Sequence, residues 1–329
     1  METNESASIK SSPYKLTFYF IKSPVRLNWQ TPRTLYITTA INHLLPDYAP
    51  IGHVLVGLQG PDKTILTGMS RKDFKESARI VKSLGLGLGS MIYDFEGNLD
   101  SCKKAQKILE RAKKHRRLNQ LNLAISEADY QAIWQFLDRW ISSGAHRHYG
   151  NLDIQGGQGA GCGPFAGFIL AHLANHQEIL QTWTRKVRVP KDLLGVVGTK
   201  KVSLFQVLVE GSGWGTEEDL EVEFFDPQLM FDHVANHPQT QQGPVAHLDL
   251  DAQLWKADQI TQPYPVSTWK PLTGDQAIGN LFKPGYGYDQ EDGVDSATRN
   301  GNMDGEENLG VYSMDQWVTE HQGCGWGDG

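Results

Sequence analysis

The sequence is poor in cysteine and contains no long hydrophobic run, and both absences limit what the protein can be. Its 329 residues include three cysteines, Cys102, Cys162 and Cys324, which cannot form a fully paired disulfide framework. No paired Cys-x-x-Cys motifs indicate a zinc site, and the Walker phosphate-binding signature is missing. No run of about 18 apolar residues predicts a transmembrane helix. Residues 1–12 lack the apolar core of a secretory signal, and the compartment stays open.

Charge is unevenly distributed along the chain. The formal net charge is −7, but residues 275–328 contain eleven acidic and two basic side chains, a net charge of −9. The rest of the chain therefore carries +2, and its surface is not uniformly acidic.

A strongly basic helix is predicted at residues 101–117, where eight Lys and Arg side chains surround a narrow apolar stripe. Such a helix is most often a solvated surface, and the alternative is contact with an anionic surface such as a cell-envelope polymer. No aromatic residues interleave with these charges, so the pattern gives no clear sign of nucleic-acid binding.

Strand-like and helix-like patterns follow one another along the chain and predict a mixed domain. Strand patterns, rich in β-branched and aromatic residues, occur at residues 16–21, 34–38, 53–58, 64–67, 91–95, 202–210 and 220–225. Helix patterns occur at residues 72–84, 101–117, 126–141 and 162–176. We predict a flexible N-terminus at 1–13, a folded domain at 14–237, and an acidic Gly-, Asp- and Asn-rich extension at 238–329 that is largely irregular.

Cys162 is the most informative single residue for function. It lies in the segment Gly-Ala-Gly-Cys-Gly-Pro-Phe-Ala-Gly-Phe-Ile-Leu at residues 159–170, directly before an apolar helical pattern. Pro164 suits the first helical position, which predicts that Cys162 lies at or beside the N-cap. Unpaired backbone N–H groups and the helix dipole favour a thiolate there, and the same donors can stabilise an oxyanion. The alternative interpretation is a small, buried and inert cysteine.

A reactive thiolate also needs a base, and His53 is the best candidate among eleven histidines. It follows Gly52 and begins a strongly apolar strand pattern, from whose end the imidazole can project into a cleft. Geometry rather than chain order defines a catalytic pair, so the base can precede Cys162 in the sequence. The alternative is a hydrogen-bonded histidine of the core or of a sheet edge.

The order of these patterns carries further information. Gly-His-Val-Leu-Val-Gly-Leu at residues 52–58 is followed by the capped helix at 126–141, by Tyr149, and by Gly-Cys-Gly-Pro-Phe-Ala at 161–166. This order resembles the circularly permuted NlpC-type branch of the papain-like cysteine hydrolases and acyltransferases, in which the histidine strand precedes the cysteine helix. The resemblance covers residues 34–176. It implies an α+β, papain-like fold, with an antiparallel sheet packed against helices and a C-terminal extension.

The resemblance also implies which residues carry the chemistry. Cys162 is the expected nucleophile and His53 its base. The residue that orients the imidazole usually lies on the strand after the histidine, where this sequence offers Thr67 in place of His, Glu or Gln. Asp94, on the next predicted strand, is the reserve candidate, and Gly161 stands where Asn often precedes the nucleophile.

The expected reaction follows from these roles. Cys162 attacks an amide or ester carbonyl and forms an acyl-thioester, while the oxyanion lies near the backbone N–H of Cys162. The resemblance favours a cysteine-dependent amidase or peptidase that acts on peptidoglycan or another peptide and needs no cofactor. The alternatives are a lipid acyltransferase or thioesterase, and a non-catalytic binding module that keeps the fold.

Histidine pairs offer a weaker, competing metal hypothesis. His172 and His176 share one helical face as in a zinc helix, but Leu173 stands where the metalloprotease motif has its glutamate base. His146 and His148 could add ligands, although an exposed loop pair is the plainer interpretation.

Two further cofactor patterns are incomplete. Residues 161–166 fit the loose dinucleotide pattern G-x-G-x-x-A, but no βαβ unit begins with them. Residues 300–305 resemble the start of a calcium loop, yet the twelfth position is Val311 where a bidentate Glu is needed. We therefore predict neither a resident metal nor a cofactor.

Overall fold

The computed structural model describes residues 12–45, 49–151, 158–171, 173, 177–195, 200–237 and 246–250, the last of these by their backbone alone. The strands are β1 (Lys15–Ile21), β2 (His53–Gln59), β3 (Thr64–Thr67), β4 (Met69–Arg71), β5 (Phe95–Leu99), β6 (Leu118–Ala124), β7 (His148–Tyr149), β8 (Thr184–Val189), β9 (Leu220–Phe225) and β10 (Ala246–Leu250). The helices are α1 (Pro32–Leu44), α2 (Phe74–Leu84), α3 (Cys102–Lys114), α4 (Glu127–Ser142), α5 (Cys162–Ala171), α6 (Gln177–Trp183), α7 (Leu204–Glu210) and α8 (Pro227–Ala235). An α+β arrangement with antiparallel sheets and helices is thereby confirmed.

The central sheet has the strand order β10-β6-β1-β2-β3 in the described part of the chain. The strands β6, β1, β2 and β3 pair antiparallel, whereas β10 pairs with β6 in parallel. Two smaller sheets have the orders β4-β5-β7 and β8-β9. Since β10 lies beyond residue 237, the central sheet continues into the segment predicted as an extension. Residues 1–11 and 251–329, on which the remaining terminal predictions fall, lie outside the described residues.

Both faces of the central sheet are covered. Along β1, Phe18 and Phe20 belong to a core with α4 and α5, whereas Tyr19 and Ile21 belong to a core with α3. This alternation follows from the period of two in a strand. Because both faces are covered, β1 and β2 are almost continuously apolar. Each large apolar side chain buried in this way stabilises the fold by about 1.5–3 kcal/mol.

The predicted strand at 34–38 is wrong, because these residues lie within α1. The Thr31 hydroxyl accepts from the backbone N–H of Thr34, and the Thr34 hydroxyl accepts from the backbone N–H of Thr31. Pro32 fits the first helical position, where its missing N–H costs nothing. This reciprocal capping outweighs the β-branched composition that suggested a strand.

The predicted strand at 202–210 is also wrong, because α7 occupies most of it. Ser203 and Gln206 form a capping box that begins this helix. The predicted strand at 220–225 is confirmed as β9. It pairs with β8, with Val222 opposite Val187, and not with residues 202–210. The predicted strand at 91–95 is shifted, since a 3-10 turn covers Leu88–Met91 and β5 begins at Phe95.

The predicted helices at 72–84, 101–117 and 126–141 are confirmed as α2, α3 and α4, with ends that differ by a few residues. Ser126 and Asp129 form the expected capping box of α4. Among the described residues, the structure has no helix with the length and apolar character needed to cross a membrane.

Candidate active site

The structure brings Cys162 and His53 together. His53 is the first residue of β2, Cys162 is the first residue of α5, and this helix packs against β2. The two residues are buried, with 4% of Cys162 and 7% of His53 exposed. The imidazole and the thiol interact through a hydrogen bond and through charge. The two side chains therefore lie within reach of each other, while their catalytic roles stay predictions.

The glycines around Cys162 allow the backbone to pack closely on both sides. A Cβ atom at Gly163 would lie 2.3 Å from the carbonyl oxygen of Phe225. A Cβ atom at Gly159, where φ is +116°, would lie 2.4 Å from the Cβ atom of His148. Larger residues at either position would displace the backbone, so these glycines fix the start of α5 between β7 and β9.

Asp100 holds the other side of the imidazole. The Nε2 atom of His53 lies 3.0 Å from Oδ2 of Asp100, whose side chain has no exposed surface. The Nζ atom of Lys104 lies 2.6 Å from the second carboxylate oxygen, Oδ1. The backbone of Asp100 is fixed as well, since its N–H donates to the carbonyl of Gly68 at 2.7 Å. With Nε2 held by Asp100, Nδ1 is the ring nitrogen left to exchange a proton with Cys162.

Neither Thr67 nor Asp94 occupies the expected position beside His53. The buried Thr67 hydroxyl donates to the backbone carbonyl of Asp100 at 2.9 Å, so it supports the aspartate rather than the imidazole. The Asp94 carboxylate instead pairs with His148, with 2.8 Å between Oδ2 and Nδ1. The geometry therefore assigns to Asp100 the contact that the sequence assigned to Thr67 or Asp94.

Sequence reasoning missed Asp100 because its local signal has another explanation. Asp100 stands between the end of β5 and Ser101, the N-cap of α3. Aspartate is common in turns and beside helix starts, so its position does not suggest a partner for histidine. The alternating burial of β5 does predict a strand that ends at this point. Only tertiary contacts bring the carboxylate to His53, since β5 pairs with β4 and the backbone of Asp100 bonds to Gly68 and Thr67.

Tyr149 contacts the same sulfur from β7. Its hydroxyl oxygen lies 3.7 Å from Sγ of Cys162, and the backbone N–H of Cys162 donates to this oxygen. Burial raises the pKa of Tyr149 well above its ordinary value, and the negative charge of Cys162 raises it further. The tyrosine therefore remains a neutral hydrogen-bond donor beside the thiol. From the sequence, Tyr149 is noted only as the aromatic residue between the helix at 126–141 and the segment that contains Cys162.

The electrostatics of the site favour a thiolate beside an imidazolium. Burial opposes both charges, but it is outweighed. Hydrogen bonds that the protonated imidazole donates to Asp100 and Cys162, together with the negative charges of these two residues, raise the pKa of His53 from 6.5 to about 10. The hydrogen bond and charge of His53, then Tyr149 and the backbone N–H of Val54, lower the pKa of the Cys162 thiol despite burial. A low-pKa thiolate is the reactive form of cysteine.

The described residues contain no group of three or more His, Cys, Asp or Glu side chains that could hold a metal ion. His172 and His176 lie outside them, as do residues 300–305. The other two histidines considered for a metal, His146 and His148, are described and belong to no such group, and His148 is paired with Asp94.

No protein-family model matches the chain, and no curated protein or solved structure matches it either. No matched relative therefore supports a function for this chain, and the chemistry of the site is the main evidence for one.

Proposed function

We propose that the protein is a cysteine-dependent hydrolase of amide bonds with a permuted papain-like fold. The observation that carries the proposal is the buried series Cys162, His53 and Asp100, in which the imidazole lies between the thiol and a carboxylate. A nucleophile, a base and a group that orients the base are the parts that covalent catalysis requires.

The arrangement of secondary structure supports the proposed fold. The cysteine begins a helix, α5, that packs on β2, and the histidine begins β2 within the antiparallel series β1-β2-β3. The histidine strand precedes the cysteine helix in the chain, as the resemblance to the permuted NlpC-type branch implies.

The first half of the proposed reaction transfers an acyl group to Cys162. The thiolate attacks the carbonyl carbon of the substrate, and a C–S bond forms as the carbonyl oxygen becomes an oxyanion. The imidazolium of His53 donates its proton to the leaving amine as the C–N bond breaks. The backbone N–H of Cys162 and the Tyr149 hydroxyl, which meet beside the sulfur, donate hydrogen bonds to the oxyanion.

The second half releases the acyl group. Neutral His53 takes a proton from water, and the resulting hydroxide attacks the thioester and restores the thiolate. Asp100 keeps the imidazole oriented in both halves and stabilises its charged form. An acceptor other than water would make the same chemistry an acyl transfer.

The proposed substrate is a peptide amide, and a cell-wall peptide is the first substrate to test. This choice depends on the resemblance to NlpC-type hydrolases, whereas the thiol chemistry depends on the geometry.

Alkylation of Cys162 by iodoacetamide from about pH 5 to about pH 10 tests the thiolate directly. Mass spectrometry of the Cys162 peptide separates its labelling from that of other cysteines. We expect an apparent pKa well below the free-thiol value of about 8.5. The protein should then form a covalent acyl adduct with reactive peptide esters, and Cys162→Ala should form none. Ordinary titration near the free-thiol value, without an adduct, would favour a binding module.

A further inference from the structure

Arg71 lies beside Tyr149, the residue whose hydroxyl contacts the nucleophile. It is the last residue of β4, and its guanidinium carbon lies 4.0 Å from the ring centroid of Phe95 and 5.7 Å from that of Tyr149. The hydroxyl of the same Tyr149 lies 3.7 Å from Sγ of Cys162. Arg71 as a whole residue is half-buried, and its guanidinium lies near the site because it interacts with the charges of Tyr149 and Cys162.

Among the described residues, Arg71 has no carboxylate partner of the kind that a half-buried arginine normally has. Within the described ranges, its guanidinium makes ring contacts but has neither a carboxylate partner nor a hydrogen bond. Arg185 provides a comparison in the same molecule, because it stacks 4.6 Å from the ring centroid of Trp29 and also pairs with Asp226. Stacking on an aromatic ring therefore does not by itself replace a carboxylate partner here.

Among the described residues, the negative groups of the site are already paired with other cations, so none of them forms an ion pair with Arg71. The Cys162 thiolate is balanced by His53, and Asp100 is contacted by Lys104 as well as by His53. Burial lowers the pKa of Arg71, while interaction with Tyr149 and Cys162 opposes that shift. An anion that binds the guanidinium would remove the cost of burying an unpaired cation.

We propose that Arg71 binds a carboxylate of the acyl donor, close to the carbonyl that Cys162 attacks. This inference rests on the proposed function and names its substrate class, an amide or peptide with a free carboxylate near the scissile bond. The planar fork of N–H donors matches a carboxylate through two parallel hydrogen bonds. The contact with the Phe95 ring, whose centroid lies 4.0 Å from the guanidinium carbon, uses no hydrogen-bond acceptor, so the N–H donors of Arg71 stay available to a ligand.

Two alkylating reagents of nearly equal size test the proposal without a known substrate. Iodoacetate carries a carboxylate, whereas iodoacetamide carries a neutral amide in the same place. In both reactions the thiolate forms an S–C bond, the C–I bond breaks, and iodide leaves with the electron pair. The measured quantity is the ratio of the two alkylation rates at Cys162, followed by mass spectrometry at constant pH and ionic strength.

Arg71→Gln should lower the iodoacetate rate about tenfold, which corresponds to about 1.4 kcal/mol, and leave the iodoacetamide rate within about twofold. Arg71→Lys keeps the charge but loses the fork, so it should fall between wild type and Arg71→Gln. Lys72→Gln is the matched control, because Lys72 is the next residue and is exposed at its pairing with Glu96. Its removal should leave the ratio unchanged.

A measurement on the wild-type protein avoids any dependence on the folding of variants. Propionate should slow the alkylation of Cys162 by iodoacetamide, whereas propionamide at the same concentration should not. Equal effects of Arg71→Gln on both reagents, or no protection by propionate, would overturn the carboxylate site while the thiolate chemistry stands. Resistance of wild-type Cys162 to both reagents below about pH 8.5 would remove the proposed function and this inference together.

Discussion

In the described part of the chain, two histidine–aspartate pairs have almost equal N–O distances but different surroundings. His53 and Asp100 are separated by 3.0 Å, and His148 and Asp94 by 2.8 Å. In the first pair the side chains are 9% and 0% exposed, whereas in the second they are 35% and 15% exposed. In the first pair, His53 contacts the thiol of Cys162. In the second pair, His148 directly precedes Tyr149 in the chain, and the described interactions of this pair include no contact with Cys162.

This difference shows that a short histidine–carboxylate contact does not by itself indicate a catalytic base. Burial raises the pKa of Asp94 despite the opposing contact with His148. Burial acts in the same direction on Asp100, but contacts with His53 and Lys104 lower its pKa overall. The buried pair is thus charged and linked to a nucleophile, and the more exposed pair has the character of a structural hydrogen bond.

Replacement of the two histidines should separate the pairs most strongly. His53→Gln removes the cation that stabilises the thiolate, so alkylation of Cys162 by iodoacetamide at neutral pH should fall by about 100-fold. His148→Gln keeps the Cβ atom that lies near Gly159 and should change the rate by less than about threefold. Stopped reactions analysed by mass spectrometry measure both rates. Equal losses in the two variants would contradict the distinction between the pairs.

Replacement of the aspartates should also distinguish the two pairs, with a smaller effect on the alkylation rate of Cys162 than replacement of the histidines. Asp100→Ala removes the acceptor for Nε2 of His53, so alkylation at neutral pH should fall by about tenfold to 100-fold. Asp94→Ala is the matched variant and should retain most of the rate. Far-UV circular dichroism and thermal unfolding check that the loss of the buried carboxylate has not unfolded the protein. A folded Asp100→Ala protein with full thiol reactivity would exclude Asp100 as a positioning residue.

The conservative variant Asp100→Asn should change the pH dependence of the site. In wild type, the imidazolium persists from below 6.5 up to the raised pKa of about 10, so the alkaline limb of activity lies near pH 10. The loss of the Asp100 charge removes part of this upward shift, and the alkaline limb should move to lower pH. It also weakens the cation beside the sulfur, so the acid limb, set by Cys162, should move to higher pH. A narrower profile is the expected result, and an unchanged profile would contradict the role given to Asp100.

Cys162 and His53 could be predicted from the sequence, because the patterns that mark them lie in the residues directly around them. Glycine and proline mark the start of the helix at Cys162, and a continuous apolar run marks the strand that begins at His53. The third residue could not be predicted in this way. Asp100 follows β5, which β3, β4 and α2 separate from β2 along the chain, and only tertiary packing brings its carboxylate to His53. The aspartate that was considered, Asp94, lies only a few residues away and belongs to the other pair.

The errors in the fold have a related physical cause. Residues 34–38 are rich in β-branched side chains, which favour strands when only composition is considered. The reciprocal hydrogen bonds of Thr31 and Thr34 begin a helix there instead. The parallel pairing of β10 with β6 connects residues far apart in the sequence, and no periodicity within either segment specifies it.

Lys104 should produce the smallest effect, although it lies 2.6 Å from the second oxygen of Asp100. Its side chain is 47% exposed, so water and salt screen its charge, unlike that of the buried His53. Lys104→Met keeps much of the side-chain volume and should change the alkylation rate of Cys162 by less than about threefold. Whatever difference remains should shrink when the salt concentration rises from about 0.05 M to about 0.5 M, because exposed charges are screened over shorter distances. Lys107→Met, on the same basic helix, controls for the general loss of positive charge. A tenfold effect of Lys104→Met that does not depend on salt would show that Lys104 acts together with His53 and Asp100. It would contradict the view that exposure makes Lys104 less important than His53 as a partner of Asp100.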